Sequence, residues 1–184
     1  MTVASGKYYI DTLLGNVFVG STAVGGVVLP AYTTTAQTFA VWNPLGSGKN
    51  VIPISLTIGY VSTTGAAGNV VLAYTTGAGS QTGTGSPILT ATVVAPVNAY
   101  IGQGNSSVAR FCPAAINPVA APALLKTTGI SELVTTATTT SLGYFMASEY
   151  YDGALIVPPG VALYVAGNIA LSNTMDITLV WEEV

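Results

Sequence analysis

The chain has 184 residues, of which 6% are charged; it holds no His, one Cys and a net charge of −3, and no ionised side chain falls between Lys49 and Arg110. An ordinary globular chain is about 25% charged, so the groups on which acid–base, nucleophilic and metal chemistry depend are scarce here. Four dispersed cations, Lys7, Lys49, Arg110 and Lys126, argue against nucleic acid, and the pattern points to a non-enzymatic protein, without cofactor or metal, whose surface is covered by other protein.

The length suits one domain, residues 1–184. A lone Cys112 forms no intrachain disulfide, and Met1-Thr2-Val3-Ala4-Ser5-Gly6-Lys7 has no basic region ahead of an apolar run, so synthesis in the cytoplasm without secretion is the expectation. Mean hydropathy is +0.61 and the stretch 13–32 is uncharged, but Gly15, Gly20, Gly25, Gly26 and Pro30 interrupt it. It reads as strands with turns, not as a membrane span. Pro158-Pro159-Gly160 cuts the later apolar stretch 155–171 in the same way.

β-branched and aromatic runs bounded by Gly, Pro, Asn and Ser predict an all-β, antiparallel two-sheet β-sandwich, jelly-roll-like, with an immunoglobulin-like sandwich as the alternative. Residues 1–6 form an extended arm in this reading. Opening strands are predicted at 7–11, 16–19 and 27–32. Over 38–43, Phe39 and Val41 share one face and Ala40 and Trp42 the other; Asn43-Pro44-Leu45-Gly46-Ser47-Gly48 then turns the chain.

The clearest alternation runs over 51–60, with Ile52, Ile54, Leu56, Ile58 and Tyr60 on the core side. Residues 63–68 loop to a return strand at 70–76, 77–87 form a polar loop, and 88–95 a further strand. From 96 to 122 the chain makes a long irregular excursion with a short strand at 108–112, and 120–126 is the one place for a helical turn. Strands close the pattern at 138–146, 153–157, 161–166 and 174–182, the last carrying Met175, Ile177, Leu179 and Trp181 on one face.

Chemical motifs fail when tested. Gly46-Ser47-Gly48-Lys49-Asn50 departs from a phosphate-binding loop at Asn43 and Asn50, and a hairpin is the better reading. Glu149 and Asp152 flank Tyr150-Tyr151 in the manner of a glycosidase pair, but carboxylates in a Tyr-rich loop are more simply solvated. Glu182 and Glu183 read as a solvated strand end or a subunit contact, Cys112 as a buried thiol, and Asn105-Ser106-Ser107 as a chance sequon. Without His, no Ser–His hydrolase is possible. Aromatic residues remain: Tyr8, Tyr9, Tyr150, Tyr151 and Trp181 are the candidate protein-interface residues.

The Thr/Gly/Ala/Val-rich β pattern, Asn43-Pro44-Leu45-Gly46-Ser47-Gly48-Lys49-Asn50 before a long strand, and Asp152-Gly153-Ala154-Leu155-Ile156-Val157-Pro158-Pro159-Gly160 before Val161-Ala162-Leu163-Tyr164-Val165 resemble tailed-bacteriophage virion structural proteins. The resemblance implies a jelly-roll capsid decoration, or cement, protein on the capsid surface of the virion. Its partners would be itself, as homodimer or homotrimer, and the major capsid protein. The alternative is a receptor- or glycan-binding tip module of a phage tail or head fibre, acting through the Tyr150-Tyr151 loop.

Overall fold

A computed structural model describes residues 6–61, 68–76, 89–90, 93–131 and 146–184. In chain order it contains helix α1 (Tyr9–Leu13) and strands β1 (Val17–Ser21), β2 (Val27–Leu29), β3 (Ala40–Asn43), β4 (Val51–Tyr60) and β5 (Gly68–Thr76). Then follow β6 (Leu89–Thr90), β7 (Val97–Asn98), β8 (Arg110–Cys112), β9 (Asn117–Pro118), β10 (Ala123–Ser131), β11 (Met146–Tyr150), β12 (Val161–Gly167) and β13 (Leu171–Glu183).

Sheet A runs β11-β4-β13-β1-β7, with β2 also paired to β13; sheet B runs β10-β5-β12-β3-β8; β6 and β9 pair apart. With β1 and β2 counted as one strand and β6 to β9 set aside as an insertion, the eight main strands lie in the order 1-8-3-6 in one sheet and 2-7-4-5 in the other. This is the wind of a jelly roll. The all-β antiparallel sandwich expected from the sequence is therefore present.

β13 organises sheet A because its alternation is unbroken: Met175, Ile177, Leu179 and Trp181 all face inward and are buried. Phe18, Phe39 and Phe111 gather around Trp181, with Phe39 and Phe111 edge to face at 5.5 Å. The central strands of sheet B, β5, β12 and β3, are buried on both faces. Phe39 and Val41 enter the inter-sheet core, whereas Ala40 joins Ala73, Ala162, Cys112, Tyr164 and Ile116 in a second cluster on the outside, against which Trp42 packs. Small side chains pave that outer surface so that Tyr32 and Trp42 can lie on it.

Several expectations are corrected. In β4 the inward face changes parity, because a bulge opposite Val180 and Trp181 makes Ile54 the extra residue; Val51 and Pro53 are buried with Leu56 and Ile58, and Ile52 is turned outward. The connections 44–50 and 61–67 join strands in different sheets, so neither is a hairpin. Residues 9–13 form a helix despite their β-favouring composition, closed by Gly15 at φ 75°. The Ala/Leu-rich stretch from 120 enters β10, where it pairs with β5 as an edge strand with two irregularities. Residues 153–156 turn instead of extending, since Asp152 and Gly153 both take positive φ and Ala154 N–H donates to Tyr151 O at 2.7 Å.

The excursion from 96 to 122 is less irregular than expected. It supplies β7 to the edge of sheet A, β8 to the edge of sheet B, and Phe111 to the core. The expectations for 1–5, 63–67, 77–88, 91–92 and 138–145 lie outside the described residues; among the described residues of the strand expected at 88–95, Leu89 and Thr90 form a strand and Val94 bridges Phe111.

Candidate interaction surfaces

The five aromatic candidates separate into core and surface. Trp181 is 0% exposed and Tyr151 5%, so neither presents a face to a partner, and both are corrected to core residues. Tyr150, at the end of edge strand β11, is 77% exposed. One ring of the adjacent Tyr pair turns in and the other out, as alternation along a strand requires. Tyr9 is exposed on α1, and Tyr8 is half-buried beside it.

Folding brings the N-terminal pair to the Tyr150 end of the chain. Lys7 Nζ lies 2.6 Å from Asp152 Oδ1, and Tyr8 OH donates to the same oxygen at 2.7 Å. Lys7 and Tyr8 hold the Asp152 carboxyl below its ordinary value, and Asp152 in turn holds the Lys7 ammonium above its own. Glu149 instead faces β10, where Lys126 Nζ meets it at 3.1 Å and also stands 5.6 Å from the Tyr151 ring. Burial, and then the Glu149 carboxylate, push the Tyr151 phenol upward. Glu149 and Asp152 are thus each engaged by their own lysine, Lys126 on β10 and Lys7 ahead of α1, and do not face one another as a glycosidase pair.

Glu183, expected as a solvated strand end or a subunit contact, is instead buried inside the sandwich. It is 1% exposed, and its carboxylate accepts from Trp181 Nε1 at 3.2 Å, Val108 N–H at 2.9 Å, Ala109 N–H at 3.1 Å and Ser107 Oγ. One more step of the β13 alternation would have placed it inward. Two asparagines complete the tether of the excursion: Asn98 Nδ2 donates to Gly15 O and Asn105 Nδ2 to Leu14 O, both at 2.8 Å. Asn105 of the sequon therefore serves as a backbone clasp.

Cys112 is buried in the second cluster and its thiol is pushed up to about 12 by burial. Among the described residues, no group of three or more His, Cys, Asp or Glu side chains converges as metal ligands. No helix among them is long and apolar enough to cross a membrane. An apolar cleft of about 310 Å³ is lined by Tyr74, Leu125, Ile156, Val157, Val161 and Leu163, from β5, β10, β12 and the turn before β12.

No protein-family model matches this sequence, and no curated protein or solved structure is significantly similar to it.

Proposed function

We propose that the protein is a non-enzymatic virion structural protein, a capsid decoration or cement protein that binds the assembled phage head and stabilises it through protein–protein contacts. The observation that carries this reading is where the apolar side chains lie: Val24, Val97, Ile101, Val119 and Tyr150 are all largely solvent-exposed on a chain of which 6% of residues are charged. Apolar side chains left in water, with few charges to keep copies apart, favour contact with other protein. Cementing needs no chemistry, only surface whose burial favours the mature spacing of capsid subunits, and contacts without charge respond weakly to salt.

The fibre-tip alternative rests on the Tyr150-Tyr151 loop. Tyr151 is in the core, so Tyr150 would stack on a sugar alone, and this favours the capsid reading. The test is to add the purified chain to heads of the encoding phage that lack it, then measure occupancy by cryo-electron microscopy and the temperature of head disruption. Saturable, symmetry-matched occupancy with a raised disruption temperature is expected. Binding to host glycans without binding to heads would replace this reading with the alternative.

A further inference from the structure

Helix α1 is amphipathic in the opposite sense from an ordinary surface helix. Its polar residues Asp11 and Thr12 are the half-buried ones, while Tyr9, Ile10, Leu13 and Leu14 face solvent, from 47% exposed at Tyr9 to 59% at Leu14. Surface helices turn the apolar stripe to the core. Here the polar side rests on the outer face of sheet A, where Asp11 meets Glu182 and Val17, opposite Glu182 in register, is buried.

The apolar surface continues beyond the helix. Val97 stands across from Val19 on the same outer face, and the following turn, tied to Gly15 through Asn98, exposes Tyr100 and 87% of Ile101. Taken as fractions of side chains of this size, the helix face and this turn leave on the order of 700 Å² in reach, against the ~800 Å² per partner that a standard interface buries.

We propose that this surface is where a second copy of the chain docks, about a two-fold axis that sets the α1 face of one copy against the same face of the other. An apolar, uncharged centre is complementary to itself, which is what an isologous contact requires. Every copy displays the patch, so the partner always present is another copy. A membrane fits less well: an interfacial helix needs Lys and Arg on its polar side to meet anionic lipid, whereas α1 is flanked by Asp11, Glu182 and Asp152, and Lys7 is already paired with Asp152.

The inference rests on the reading of the chain as one that works by protein contact, and not on the capsid. Its test is the absolute mass of the full chain by light scattering over a dilution series, for wild type, Leu13→Glu, Ile101→Glu and the control Ile169→Glu, which alters an exposed residue in the turn between β12 and β13. Wild type and the control should show a two-copy mass. Leu13→Glu and Ile101→Glu should weaken the dimer at least ~100-fold with an unchanged circular dichroism spectrum. A one-copy or three-copy wild type, or a dimer indifferent to both patch variants, overturns the proposal. A monomer that binds heads would remove this interface and leave the virion reading; a dimer that does not bind heads would do the reverse.

Discussion

The indole N–H of Trp181 donates to the carboxylate of Glu183, two residues further along β13, across 3.2 Å inside the sandwich. Because Val108 N–H and Ala109 N–H point to the same carboxylate, the pair joins the central strand to the middle of the excursion. Glu183→Gln keeps the shape but turns N–H groups toward donors. It is expected to cost roughly 1–3 kcal/mol, the price of buried polar groups left without partners. Urea denaturation checks this, and a midpoint equal to wild type would show that the carboxylate is dispensable.

Trp181→Ala tests the core assignment of that residue. Truncating a buried Trp costs about 3–5 kcal/mol, so a large fall in the unfolding midpoint is expected. The folded fraction should keep its native oligomeric mass. A variant of undiminished stability that loses self-association would restore Trp181 to an interface.

Gly20 faces Phe111, and a Cβ built there would stand 2.7 Å from Cδ2 of the ring. Phe111 is itself held edge to face by Phe39 and has little freedom to retreat. Gly20→Ala is expected to lower stability by about 1–3 kcal/mol through overpacking, measured as a fall in Tm. An unchanged Tm would mean that the aromatic cluster repacks freely.

Glu182 lies above its ordinary value of 4.5, first because it is partly buried and then because the Asp11 carboxyl adjoins it. A carboxyl raised on folding holds its proton more tightly in the native state, so its contribution is full below the unfolded value and is lost as pH rises through the folded one. Asp152 runs the other way: its contribution is present at neutral pH and disappears in acid as the Lys7 pairing is lost. Glu182→Gln should therefore raise Tm at neutral pH, with the difference closing below 4.5. A lower Tm at neutral pH would show that Asp11 and Glu182 attract through a shared proton.

Cys112, buried and with its thiol pushed up to about 12, should not react with a water-soluble disulfide reagent in the native state at mildly alkaline pH. Labelling should follow unfolding in denaturant. Rapid labelling of the native protein would mean that the cluster around Ala40 and Tyr164 opens readily.

Period-two alternation made most of this fold legible. It located Phe39 and Val41 against Ala40 and Trp42, and it placed the inward face of β13 from Met175 to Trp181. It failed where a tertiary feature resets the count, as at Ile54, where the bulge depends on the partner strand. It failed again at α1, whose helix is held by Asp152, Asn98 and Asn105 from distant parts of the chain. Of the surface candidates, Tyr150 was legible because one member of an adjacent pair along a strand must face out, whereas Tyr9 faces out from a helix that alternation did not foresee. Trp181 and Tyr151 were misassigned because an aromatic residue suits a core and an interface equally. Glu183 was missed because a buried acid is rare enough that sequence alone places it in water.

β13 sits at the centre of sheet A, flanked by β4 on one side and by β1 and β2 on the other, yet it is the last of these strands to leave the ribosome. Until residues 171–183 emerge, β4 and β1 have only their outer neighbours, β11 and β7, to pair with, and nothing joins the two halves of the sheet. Sheet A is therefore joined into one only once β13 has been made, and the pairings between distant parts of the chain make that closure slow. A nascent chain stalled before residue 171 should be captured by chaperones and digested by proteases that spare the finished protein.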